Sequence, residues 1–205
     1  MRPTIIVFAK SPKAGLVKTR LIPRVGPAAA CLLHEAFVED TLAALEPLQT
    51  RCRIELQTDT PWLGRRSKLQ AGGDLGNKIL TALEGALKQE CSVAMILGSD
   101  SPTVPLNHVE QVLACPADVC LGPAADGGFY AIACRKTKPG MFRGVAWSSP
   151  ATLEQTIAAV KNAGLEITLA PEWYDVDEGA DLDRLAADPG LRQATAKVLR
   201  SILWG

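Results

Sequence analysis

Side chains able to handle phosphate and metal ions are concentrated in four stretches of the chain. The first is VFAKSPKAGLVKTRL, Val7 to Leu21, in which Lys10, Lys13, Lys18 and Arg20, together with Pro12 and Gly15, lie between an apolar run and a long amphipathic segment. Lysine supplies a movable point charge, and Arg20 a planar fork that can grip two phosphate oxygens at once. Gly15 permits backbone shapes that a Cβ would forbid, including close approach to a ligand. A polyphosphate would suit such a loop, although it contains neither the P-loop nor the dinucleotide-binding glycine pattern. A solvated basic turn would have the same composition.

The other three stretches are acidic. GSDSP, Gly98 to Pro102, carries Asp100 directly after an apolar run. A carboxylate at a strand end suits a hard cation such as Mg²⁺, which takes oxygen ligands and is commonly completed by substrate phosphates. The same Asp could instead cap the following turn. GPAADGGFY, Gly122 to Tyr130, sets Asp126 beside Gly127 and Gly128. This is a hairpin-turn signal and also a place where backbone can approach a ligand. In WYDVDEGADL, Trp173 to Leu182, Asp175 and Asp177 alternate about Val176, so on an extended backbone both carboxylates share one face and could share a metal. Asp177 or Asp181 could equally start the last helix. Trp147 and Trp173 are candidates for stacking on a base or sugar, or for core and rim positions.

The order of elements says how these groups are carried. Thr4 to Ala9 is a short, continuously apolar run, as expected of a strand covered on both faces of a parallel sheet. After Gly26 and Pro27, Leu33, Phe37, Thr41 and Leu45 recur every four residues and predict a helix ending near Leu48. Arg53 to Gln57 reads as a second strand and Pro61 to Gly73 as a loop. Asp74 is the expected N-cap of a helix burying Leu75, Ile79, Leu83 and Leu87. Strands are expected at Ser92 to Leu97, Asp118 to Leu121, Phe129 to Cys134 and Ile167 to Leu169, with a helix from about Leu106 to Leu113. Ser149 and Pro150 suit the N-cap and first position of a helix carrying Leu153, Ile157 and Val160. Leu182 to Leu203 reads as mainly helical, interrupted near Pro189-Gly190. Strands alternating with helices predict an α/β fold on a mostly parallel sheet, whose ligands lie outside the carboxyl ends of the strands. No linker or repeat divides residues 1–205, so one domain is expected.

Lys plus Arg and Asp plus Glu both total 22 among the 205 residues, and this balance argues against a nucleic-acid or anionic-membrane partner. The charge is polarised locally. Met1 to His34 carry six cations and no acid, whereas Glu172 to Asp188 carry seven acids and one Arg. Such opposed ends could converge on one site. The six cysteines form no Cys-x-x-Cys pair and are expected to be buried free thiols. No segment reads as the roughly 20 apolar residues of a membrane helix, so a cytoplasmic protein without a membrane span is expected. His34 and His108 both fall in helical contexts, without a nucleophile elbow or a cysteine partner to suggest acyl-transfer chemistry.

Taken together, KSPKAG, KTRL, GGDLGNKI, GSDSP, GPAADGGFY, VAWSS and DVDEGADL resemble a bacterial family of uncharacterised glycosyltransferase-like proteins. It is called DUF2064, or radical-SAM/selenodomain-associated transferase 1. The resemblance runs from Phe8 to Leu182. It implies a GT-A-like fold similar to the nucleotide-diphospho-sugar transferases, with the early basic loop (Lys10, Lys13, Gly15, Lys18, Arg20) receiving nucleotide phosphates. It further implies that Asp100 binds Mg²⁺ or Mn²⁺ and that Asp177 is a second metal ligand. Where relatives tend to read Asp-Thr-x-x-Asp-Leu, this chain has Asp177, Glu178, Gly179 and Ala180 before Asp181 and Leu182.

The activity expected on these grounds is metal-dependent glycosyl transfer from a nucleoside diphosphate-sugar to a small-molecule acceptor. Asp100 and Asp126 would be the catalytic carboxylates, and Gly127 and Gly128 would admit the ligand. Two alternatives stand beside it: nucleotidyl transfer from an NTP with release of pyrophosphate, and nucleotide binding without chemistry.

Overall fold

Alternation along the first strand decides the layering. In β1 (Thr4–Ala9), Ile5, Val7 and Ala9 enter one apolar cluster while Ile6 and Phe8 enter another on the opposite face. The computed structural model describes residues 1–203. Its other strands are β2 (Arg53–Thr58), β3 (Lys68–Leu69), β4 (Ala94–Gly98), β5 (Val119–Pro123), β6 (Phe129–Cys134) and β7 (Ile167–Leu169). They form one sheet in the order β3-β2-β1-β4-β6-β5-β7. Only β6 runs against its neighbours, pairing antiparallel with β4 and β5. The remaining pairs are parallel.

Helices cover both faces, as a sheet apolar on both sides requires. α1 (Ile22–Ala44) and α3 (Leu106–Ala114) contribute Val38, Val109 and Val112 to the first cluster. α2 (Leu75–Leu87) and α4 (Thr152–Asn162) contribute Ile79, Leu83 and Val160 to the second. α5 (Asp181–Ala187) and α6 (Gln193–Leu203) pack against α1 through a third cluster containing Leu33, Phe37, Leu182, Leu185 and Leu199. Each such buried Leu or Phe contributes on the order of 1.5–3 kcal/mol. The expected mostly parallel α/β sheet is therefore present, and Asp74 caps α2 through a 2.8 Å bond from the Asn77 amide.

Some differences from expectation have a local reason. α1 ends at Ala44 and continues only as a 3₁₀ turn over Glu46–Leu48, because Pro47 lacks the N–H that a further helical turn needs. Within Pro61 to Gly73, expected to be loop, Lys68–Leu69 adds an exposed edge strand too short to leave a periodic signal. α4 begins at Thr152 rather than at Pro150. There Ser149 Oγ accepts the Ala151 amide at 3.2 Å, and the Leu153 amide donates to the Gly127 carbonyl at 2.8 Å, so Ser149–Ala151 form a turn fastened to the β5–β6 hairpin.

Contrary to expectation, the stretch Thr19–Leu48 contains an 18-residue window, of mean hydropathy 1.2, that is long and apolar enough by length and composition to cross a membrane. In the fold its Leu33, Phe37, Val38 and Leu45 are fully buried in the core. The same stretch carries Glu35, Glu39 and Asp40. The six cysteines are free, and all but Cys115 are buried.

Asp40 is a buried carboxylate with a structural task. From the middle of α1 it accepts the amides of Ala194 and Thr195, at 3.1 and 2.8 Å, and so caps α6 from another element. Asp40→Ala is expected to lower unfolding free energy by about 1–2 kcal/mol, a typical loss for a removed helix cap, and chemical denaturation checks it.

Candidate active site

The carboxyl ends of β1 and β4, the amino end of β6 and the first turn of α2 open onto a cleft of about 760 Å³. Its walls include Lys10, Lys18, Arg20 and Lys78 on the cationic side of the account, and Asp59, Asp100, Asp126, Asp175 and Asp177 on the anionic side. The cleft thus gathers the basic loop after β1 and all three acidic stretches, as the opposed charge of the chain's two ends suggested.

Lys18 joins them. Its ammonium pairs with Asp100 Oδ1 and with Asp177 Oδ1, the latter at 2.9 Å, and donates to the Val176 carbonyl at 2.7 Å. The side chain is 5% exposed, against 49% for Asp100 and 38% for Asp177. Burial opposes the charge on Lys18, but the two carboxylates outweigh it and hold the pKa above its ordinary value. Enclosure likewise opposes the charge on Asp100, and Lys18 outweighs it there, holding the carboxyl below the usual range. Lys18 occupies the left-handed region, with φ 45° and ψ 45°, which residues with a Cβ seldom adopt.

The acidic segment is laid in place by backbone bonds. The Trp173 amide donates to the Pro123 carbonyl at 3.0 Å, the Ala125 amide to the Trp173 carbonyl at 2.9 Å, and the Val176 amide to the Asp100 carbonyl at 2.8 Å. Val176 is fully buried in the third cluster, which turns Asp175 and Asp177 together into the cleft. Ser101 Oγ donates to Asp175 Oδ1. Burial and the neighbouring Asp100 charge push the Asp175 carboxyl up to about 7, against the Ser101 bond.

The remaining candidates divide. Lys10 and Arg20 line the cleft, with no ion pair among the described residues. Lys13 and Gly15 are exposed and lie outside its lining. Gly15, at φ 83°, serves the turn that the Leu16 amide closes on the Lys13 carbonyl at 2.9 Å. Asp126 and Gly128 line the cleft, and Asp126 Oδ1 accepts the Gly128 amide at 2.9 Å. Gly127 is turned away from it: a Cβ there would lie 2.1 Å from the Pro150 carbonyl oxygen, so its closeness serves the α4 loop rather than a ligand. Trp147 is on the cleft wall, edge-on to Phe142 and Phe129 at 5.8 and 6.3 Å. Trp173 packs in the core against His108 and Tyr174.

Lys78, His34 and Asp59 also line the cleft and were not singled out from the sequence. Lys78 sits in the GGDLGNKI stretch, one turn into a helix whose capped amino end faces the site, and Asp59 follows β2 as Asp100 follows β4. Both signals were available. His34 has none, being one polar residue within a helix. Its Nε2 lies 2.8 Å from the Lys10 carbonyl, and burial lowers its pKa despite that bond.

The donor chemistry fits a hard divalent cation. Asp100 and Asp177 present partly exposed carboxylate oxygens with Asp175 behind them. Among the described residues no three carboxylate, imidazole or thiol groups form a metal site by themselves. Two carboxylates completed by water and phosphate are the usual setting for Mg²⁺.

Known proteins share the family and the fold of this chain. The family model described as "Uncharacterized protein conserved in bacteria (DUF2064)" matches residues 33–149, which include Asp100 and Asp126 but neither the basic loop nor Asp177. Among solved structures, the chain is similar to a candidate nucleotide-diphospho-sugar transferase from Desulfovibrio desulfuricans G20. The two are 29% identical over 98% of this chain and 97% of the other, with a TM-score of 0.83. It shares the fold of a cytidylyltransferase from Leptospira borgpetersenii serovar Hardjo-bovis, at 11% identity, coverage of 99% and 94%, and TM-score 0.54. The same holds for CMP:2-keto-3-deoxy-manno-octonic acid synthetase complexed with CTP, at 14% identity, coverage of 90% and 97%, and TM-score 0.51. No curated protein matches the chain. The GT-A-like fold expected from the sequence is the one observed.

The raised Asp175 pKa has a thermodynamic consequence. A carboxyl whose folded pKa is about 7 favours the folded state fully only below its unfolded value near 3.8, and that contribution is lost as pH rises through about 7. Asp175→Asn, still able to accept from Ser101, is therefore expected to raise Tm by several degrees at pH 8, the gain shrinking towards zero at pH 4. Calorimetry across that range checks it.

Proposed function

We propose that this chain, which belongs to the DUF2064 family, is a metal-dependent transferase acting on a nucleotide-linked donor, and that the reaction is glycosyl transfer from a nucleoside diphosphate-sugar. The observation that supports it best is the meeting, in one cleft at the strand ends, of cations with no ion pair among the described residues (Lys10, Arg20 and Lys78) with the carboxylates Asp100 and Asp177. Anionic donor groups and a divalent cation need those two surfaces side by side. The likeness to a candidate nucleotide-diphospho-sugar transferase agrees with this reading.

In this reading Lys10, Arg20 and Lys78 receive the donor diphosphate, helped by the amino end of α2. Asp100 and Asp177 would hold Mg²⁺ or Mn²⁺, and a cation bound there would neutralise charge growing on the leaving diphosphate. Asp126, exposed on the cleft wall, orients the acceptor hydroxyl and takes its proton as the new glycosidic bond forms and the sugar–phosphate bond breaks. Leu75, Ile79, Phe129 and Trp147 line the α2 side of the cleft and suit an acceptor or sugar with an apolar face.

Nucleotidyl transfer is the second reading, favoured by the number of cations. Lys10, Arg20 and Lys78, all lining one cleft, offer a triphosphate one cation for each phosphate. The two reactions release different products. Incubation with UDP- and GDP-sugars in the presence of Mn²⁺, with water taking the place of the acceptor hydroxyl, is expected to release free nucleoside diphosphate and free sugar. Release of pyrophosphate from one of the four NTPs would transfer the assignment to the second reading, and nucleotide binding without turnover in either panel would leave a non-catalytic binder. Asp100→Ala is expected to reduce turnover about 10²- to 10³-fold, the scale for loss of one preorganised charge contact.

A further inference from the structure

We propose that Lys18 is a resident counter-cation of the Asp100–Asp177 pair: a divalent cation enters only as the ammonium withdraws, and donor phosphates draw it away, so that donor and metal bind cooperatively. This rests on the reading of the cleft as a divalent-cation site.

The argument begins with a count of donors. A lysine ammonium has three N–H groups, and here three acceptors surround it: Asp100 Oδ1, Asp177 Oδ1 and the Val176 carbonyl. Its remaining neighbour is the face of Phe37, 5.5 Å from the ring centre. No donor is left for a phosphate. Lys18 therefore cannot serve the carboxylates and a donor anion through the same contacts, although it lies on the wall of the same cleft.

Position and charge agree. The ammonium is buried behind the pair at 5% exposure, whereas the carboxylates are 49% and 38% exposed and open towards the cleft. One ammonium stands directly between Asp100 and Asp177, and a dication would balance those two carboxylates more fully. A dication on Asp100 and Asp177 would repel the ammonium at the distance it now holds. The left-handed backbone at Lys18 delivers the side chain to this place in a conformation rarely used by residues other than glycine. Cooperativity follows by linkage: whatever removes Lys18 from the pair favours the metal, and the metal favours whatever accepts Lys18.

The test uses Mn²⁺ alone, followed by the electron paramagnetic resonance signal of the free ion, with the full-length wild type and Lys18→Met. Methionine keeps the apolar stem over Phe37 and removes the charge. Lys18→Met is expected to bind Mn²⁺ at least about tenfold more tightly than the wild type, within the usual range of coupling between sites. In the wild type, saturating Mg²⁺ is expected to speed reductive methylation of Lys18, read by mass spectrometry, while the exposed Lys88 and Lys161 are unaffected. Mn²⁺ binding by Lys18→Met no tighter than by the wild type overturns the proposal. So does a Lys18 methylation rate that Mg²⁺ leaves unchanged, which needs no variant to fold. The turnover panels judge the transferase reading separately: turnover with unchanged Mn²⁺ affinity in the variant removes this inference alone, and tightened Mn²⁺ binding without turnover removes the reaction alone.

Discussion

A buried ammonium shared by two carboxylates organises the cleft. Lys18, Asp100 and Asp177 come from the loop after β1, the end of β4 and the segment before α5, and their meeting fastens together parts of the chain more than 150 residues apart. Burying an ammonium costs several kcal/mol unless it is paired and its N–H groups are satisfied, and here all three are. The arrangement is asymmetric. Losing Lys18 would leave two carboxylates that water can reach, whereas losing the carboxylates would strand a charge in an apolar pocket beside Phe37. The Arg24–Asp183 pair lies on the neighbouring surface and adds little, as exposed ion pairs do. The fold therefore depends on the carboxylates here more than on the lysine.

The same cluster works against stability in another way. Asp175 is held behind Asp100 with, among the described residues, a single hydroxyl donor, Ser101, and its carboxyl is pushed up to about 7. A chain selected for stability alone would not keep a carboxylate there, where an amide would make the same bond without the charge penalty. Perturbed groups of this kind gather where charge is handled. His34, neutral and fixed to the Lys10 carbonyl, forms the floor below the basic loop and adds no competing positive charge. The cleft thus sets exposed cations, Lys10 and Arg20, beside a cluster of carboxylates built around Lys18.

Much of this was legible in the chain. Continuous apolar runs found the buried strands, and Phe129–Cys134 was bounded correctly because the Asp-Gly-Gly turn before it is a strong stop signal. Asp100 was readable as a strand-end carboxylate, and the alternation of Asp175 and Asp177 about Val176 was readable as a shared face, because both follow from the period of extended backbone. What escaped was what depends on tertiary partners. Composition could count the cations of the basic loop but not divide them into Lys18, which turns inward to the carboxylates, Lys10 and Arg20, which line the cleft, and Lys13, which faces solvent. His34 reached the site only because α1 packs beneath the β1 loop. Lys68–Leu69 exists as a strand only because β2 offers it an edge.

The glycines carry the last step. Gly127 was expected to let a ligand approach, but it lets Pro150 approach: at φ 88° it fits the hairpin turn, and the space a Cβ would fill is taken by the Pro150 carbonyl. Gly76 does the same on the facing wall, where a Cβ would lie 2.9 Å from the Trp147 ring. These two contacts fasten the 147–152 loop to the β5–β6 hairpin at one end and to the first turn of α2 at the other. The position of Trp147 over the cleft is consequently set by close contacts at two glycines that lie outside the cleft lining. Side chains added at either glycine would act on the shape of the aromatic wall and leave the charged base, built on Lys18 and its carboxylates, where it is.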